Sequence, residues 1–77
     1  MPTYYRNGSL WIELRGREGG HPLPHIHAHC DGQSVSMALD GTVLDGRIRS
    51  DKLKEVKNWV TRNADFLKSE WRRIHGV

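Results

Sequence analysis

The chain has 77 residues, enough for a single domain, 1–77, with a thin core, and too few for a second domain or a large internal cavity. Its one cysteine, Cys30, excludes an internal disulfide and a CxxC zinc ribbon. The apolar runs are only two or three residues long, which rules out a spanning helix of about 20 apolar residues, and the opening MPTYYRNGSL lacks the apolar stretch of a signal peptide. A cytoplasmic protein of bacterial type is expected. The net charge of +3 hides an asymmetry, because residues 47–77 hold nine lysines and arginines against four acids.

Ser9–Arg15 alternates, with Leu10, Ile12 and Leu14 against Trp11, Glu13 and Arg15, the period of a half-buried strand. The Gly- and Pro-rich RGREGGHPLP follows as a loop. His25–Cys30 alternates again, with Ile26 and Ala28 on one side and His25, His27 and His29 on the other. Asp31-Gly32 is a preferred pair for a two-residue type I′ hairpin turn. Gln33–Leu39 returns, Asp40-Gly41 offers a second such turn, and Thr42–Asp45 makes the next strand, ended by Gly46.

Ser50 or Asp51 can cap a helix. From there Leu53, Val56, Val60, Ala64, Leu67, Trp71 and Ile74 recur at three- and four-residue steps and fall within an arc of roughly 80°. Cap-like residues between Thr61 and Asp65 leave open whether the helix runs on or breaks near Asn63. The expected fold class is α+β: a three- to four-stranded antiparallel meander packed on one face by a C-terminal helix or kinked helix pair.

A two-residue turn at Asp31-Gly32 makes Cys30 face Gln33, His29 face Ser34, Ala28 face Val35, His27 face Ser36 and Ile26 face Met37. Opposed residues point to the same side of a sheet. Ile26, Ala28, Val35 and Met37 therefore share the core face, and His25, His27 and His29 the other. A two-residue turn at Asp40-Gly41 sets Met37 opposite Leu44 and Ser36 opposite Asp45, giving a row His27–Ser36–Asp45. A slip of one residue would reverse every assignment.

Two chemistries are open to the histidines. Neutral imidazole is a transition-metal ligand, so His21, His25 and His27, with Asp45 or Glu13, form a candidate donor set. If a cofactor is held, that set suits zinc or nickel. Alternatively, His25 and His27, with Asp45 beside them, are candidate catalytic residues for acid–base cleavage of RNA. Against both stands a polar strand face whose histidines only organise the loop held by Pro22 and Pro24. Trp11, on the same outward face, is a candidate partner contact. Lys54, Lys57, Lys68 and Arg72 flank one side of the helical stripe and are candidates for nucleic-acid contact, although Asp51–Lys54, Asp65–Lys68 and Glu70–Arg73 are also ordinary i,i+3 pairs.

Met1-Pro2-Thr3, the segment His21, Pro24, His25, His27 and Ala28, and the later Gly32, Gly41, Leu44, Gly46, Trp59, Leu67 and Trp71 resemble a family of short bacterial proteins known as domain of unknown function 4160. That family carries a His-x-Pro-Pro-His-x-His-Ala motif. Leu23 replaces its first proline, and His29 lies outside it. The resemblance implies no transferable activity. It does imply a small cognate protein encoded alongside, in an arrangement like a toxin–antitoxin pair.

Three functions are therefore expected. The first is a binding or regulatory member of such a module, acting through the histidine face. The second is a histidine-based nuclease, with or without metal. The third is a nucleic-acid-binding module using the basic helix. So thin a core also leaves homodimer formation open.

Overall fold

The computed structural model describes residues 3–14 and 23–75; His21, Pro22, Arg15 and the Met1-Pro2 opening lie outside the described residues. Five strands, β1 (Thr3–Asn7), β2 (Leu10–Glu13), β3 (His25–Cys30), β4 (Gln33–Ala38) and β5 (Val43–Arg47), are followed by α1 (Ser50–Arg62) and α2 (Ala64–His75). The strands form one antiparallel sheet in chain order, β1-β2-β3-β4-β5. The α+β meander is as expected, and of the two helical alternatives the structure has the pair; the sheet has one strand more than the expected three to four.

The extra strand is β1, joined to β2 through Gly8 and Ser9, with Asn7 opposite Leu10. Gly8 has φ 63° and is the only positive-φ residue of that turn, as a type II′ hairpin turn requires. Period-two reading misses β1 because its register shifts between Thr3 and Tyr5. Two consecutive tyrosines then reach the helices. Tyr4 packs edge-on against Phe66 of α2, and Tyr5 lies against Trp59 of α1 with ring centroids 5.4 Å apart.

The β3–β4 turn is as the sequence predicts. Asp31 (φ 50°) and Gly32 (φ 79°) are both in the left-handed region, and Cys30 faces Gln33. The β4–β5 turn differs. Ala38 and Thr42 close a three-residue loop, with the Ala38 N–H donating to the Thr42 carbonyl at 2.8 Å and the Gly41 N–H to the Ala38 carbonyl at 3.0 Å. Met37 therefore faces Val43, not Leu44. A second irregularity between Ser36 and Met37 restores the register, so Ser36 does face Asp45. The strand does not stop at Gly46 but runs through it to Arg47. Gly46 has φ 79°, and a Cβ there would collide with the Ser34 carbonyl oxygen. Only glycine lets β5 lie this close.

Leu10, Ile12, Leu14, Ile26, Ala28, Cys30, Val35 and Met37 from the sheet bury against Val56, Val60, Leu67 and Trp71 from the helices. Burying each large aliphatic side chain contributes roughly 1.5–3 kcal/mol. The helix breaks at Asn63, whose side-chain amide donates to the Trp59 carbonyl at 2.8 Å. Its own carbonyl accepts from Leu67 N–H at 2.9 Å, so one residue closes α1 and opens α2. Neither Ser50 nor Asp51 caps α1: the N-cap is Arg49, with no side-chain cap bond. Among the described residues no helix is long and apolar enough to cross a membrane.

Polar clamps tie β1 to the helices. The Tyr4 hydroxyl donates to Glu70 at 2.8 Å, and the Tyr5 hydroxyl and the Asn7 amide each donate to Glu55 at 2.7 Å. The Asn7 and Tyr5 donors hold the Glu55 carboxyl below its ordinary 4.5, and Arg73, with Tyr4, does the same for Glu70. A carboxyl lowered in the fold stabilises it fully above the unfolded pKa and loses that contribution as pH falls through the folded one. The urea midpoint should therefore drop between about pH 5 and pH 3, and the Glu55→Gln/Glu70→Gln double variant should show a smaller drop. An unchanged pH profile in that variant would contradict the clamp.

Candidate functional site

The register of β2, β3 and β4 builds the site. Trp11 faces His29 and Glu13 faces His27; His27 faces Ser36 and His29 faces Ser34; Ser36 faces Asp45 and Ser34 faces Arg47. Arg6 of β1 faces Trp11. With Ile12, Ala28 and Val35 in the core, all of these residues point away from it. The outward face thus carries two rows, Arg6–Trp11–His29–Ser34–Arg47 and Glu13–His27–Ser36–Asp45.

The first row is centred on an aromatic pair. The Trp11 and His29 rings stack with centroids 4.2 Å apart and 19° between planes. His29 also links the rows, because its Nε2 lies 3.0 Å from Oε2 of Glu13. That approach is close but outside the directional range of a hydrogen bond. Glu13 is 5% exposed, and a carboxylate so buried needs compensation; a protonated His29 imidazole would supply part of it. His29, which lies outside the family motif, is half-buried and has Trp11 on one side and Glu13 on the other.

His25 stands apart from the other histidines. It is 3% exposed; its Nδ1–H donates to the Leu23 carbonyl at 2.7 Å, and its ring lies 5.0 Å from that of Trp71 on α2. Its ring also meets His27 edge-on at 5.1 Å. His27 Nδ1 and Ser36 Oγ are 3.2 Å apart, within hydrogen-bond range. Asp45 occupies its expected place in the row, but its carboxylate accepts the Gly46 N–H at 2.9 Å and is exposed.

Of the candidate donor set, His21 lies outside the described residues. Among the described residues no three His, Cys, Asp or Glu side chains converge to hold a metal ion. Cys30 is buried on the core side, with its sulfur 3.4 Å from Ser9 Oγ. Lys54, Lys57, Lys68 and Arg72 are all exposed and are divided between α1 and α2. Lys68 borders an apolar groove of about 340 Å³ lined by Leu23, Pro24, Leu39 and Leu44. Arg6 and Arg47 were missed because placing them needs the Gly8-Ser9 turn and the paired irregularities of β4 and β5. The Gly8-Ser9 pair after a β-prone Tyr-Tyr was the available signal for β1.

The contacts separate the histidines by role. His25→Ala should lower stability by about 2–3 kcal/mol, since it removes a buried ring packed on Trp71. His29→Ala should cost less than about 1 kcal/mol. Urea denaturation checks both, and equal losses would contradict this division.

The family described as Domain of unknown function (DUF4160) matches residues 11–72, a span that includes Trp11, Glu13, all the strand histidines and Trp71. No curated protein and no solved structure matches.

Proposed function

The chain belongs to this DUF4160 family, whose description names no activity, and we propose from the site that it is a binding protein, the regulatory member of a toxin–antitoxin-like pair in the cytoplasm. Its working surface is the histidine face. The observation that carries this reading is the Trp11–His29 stack, half-buried at the centre of a polar sheet face and braced by Glu13. Aromatic side chains held rigid and partly exposed are what binding surfaces use for affinity, because little conformational freedom is lost on contact.

Several contacts favour binding over cleavage. His25 is held by the Leu23 carbonyl and Trp71. His27 is engaged with Ser36, and the Asp45 carboxylate is turned to Gly46. Acid–base catalysis needs such groups aimed at one reacting atom; these are aimed at their own scaffold. A buried, unpaired Cys30 suits a reducing compartment.

Expression together with the adjacently encoded protein tests this. Trp11→Ala and His29→Ala should each shift the growth effect of the pair by about tenfold or more in plating efficiency, at unchanged levels of soluble protein. A growth effect that neither substitution alters contradicts the reading. RNA cleavage by the purified chain that His27→Ala abolishes would replace it with the nuclease.

A further inference from the structure

We propose that the histidine face takes single-stranded nucleic acid, laid across the strands along Arg6, Trp11, His29, Ser34 and Arg47. The inference rests on the reading of this face as the binding surface and names its ligand.

The row follows from the register. Arg6 faces Trp11, Trp11 faces His29, His29 faces Ser34 and Ser34 faces Arg47, so five strands contribute one residue each to one side. With strands about 4.8 Å apart, the row is about 19 Å long. Its ends are cationic. Arg6 and Arg47 are exposed, and neither forms an ion pair among the described residues. Guanidinium groups that no protein carboxylate neutralises suit phosphate oxygens, which they bind in a fork.

Between the two cations lies a stacking platform. Trp11 and His29 are nearly parallel across the strand gap, so the second face of the indole looks toward β1, where Arg6 is its register partner. A base entering there stacks on the indole with a guanidinium on its far side, a contact open to any base. Ser34, exposed beyond His29, adds a hydroxyl that can donate or accept.

Other ligands fit less well. Duplex bases are already stacked, and the major groove, about 12 Å wide, admits a helix or a two-stranded ribbon rather than a five-stranded row. The acids of this face lie in the other row, with Glu13 buried against His29 and Asp45 turned to Gly46, so the phosphate path is not crossed by a free carboxylate of the row. The helices offer cations without a platform. Lys57 lies beside Asp40, and the exposed Phe66 is engaged by Tyr4.

Fluorescence anisotropy with labelled 12-nucleotide oligouridylate and oligothymidylate, and with a duplex of equal length, tests the proposal. The intact chain should bind the single strands more tightly than the duplex. Trp11→Ala should lose at least about fivefold, with Trp11→Phe retaining most of the affinity. Arg6→Glu and Arg47→Glu should each lower affinity and reduce the salt slope by about 0.7, while Lys54→Glu/Lys68→Glu stays within about twofold. Circular dichroism and urea midpoints confirm that each variant is folded. No binding by the intact chain at low salt overturns the proposal, and so does a loss confined to the helix variant. If no oligonucleotide binds but Trp11→Ala still alters the growth effect of the pair, the ligand of the face is a protein and only this inference falls. If Trp11→Ala alters neither, the binding face falls with it.

Discussion

The turn at Asp31 and Gly32, both at positive φ, determines where every side chain of β3 and β4 points. A two-residue loop permits one register, and in that register Ile26 faces Met37 and Ala28 faces Val35. These four residues are buried and join the helices in the core. Because strands alternate, driving the apolar set inward forces His27 and His29 outward beside Ser36 and Ser34. A slip by one residue would bury imidazoles against Leu67 and expose Ile26 and Met37. The hydrophobic term that holds the fold together is thus the same term that displays the histidines.

Two further constraints complete the outward face. Tyr4, Tyr5 and Asn7 fasten β1 to the carboxylates of Glu70 and Glu55, which brings Arg6 to the position opposite Trp11. At the other edge, Gly46 lets β5 approach the Ser34 carbonyl, and Arg47 follows it into line. The two arginines at the ends of the row therefore depend on features far apart in the chain. The buried Glu13 sits in the middle, with its Oε2 3.0 Å from His29 Nε2.

Much of this was legible in the sequence because local chemistry set it. Asp-Gly between alternating strands gave the β3–β4 register, and with it the row from His27 through Ser36 to Asp45. The helical stripe followed from spacing, whereas cap-like residues around Asn63 left one helix or two open, and the Asn63 contacts to Trp59 and Leu67 decide for two. What escaped depended on tertiary contacts or on paired irregularities. The shift in β1 hid a strand behind two adjacent tyrosines. In β4–β5 a three-residue loop and a second irregularity offset one another, so the Ser36–Asp45 pair was reached by a route that misplaced Leu44. The burial of His25 required Trp71 to arrive from α2, 46 positions along the chain. The direction of the Asp45 carboxylate was fixed by its neighbour Gly46 and not by the row it stands in.

The proposed ligand meets the chain on the outward face of the sheet, across the strands. Two-dimensional NMR of the isotopically labelled chain, titrated with a single-stranded 12-mer, tests this most directly. The indole N–H of Trp11 and the backbone amides of Arg6, His29, Ser34 and Arg47 should shift together and saturate together, with Lys54, Lys57, Lys68 and Arg72 unmoved. Shifts that gather on α1 and α2 and leave the Trp11 indole in place would contradict it.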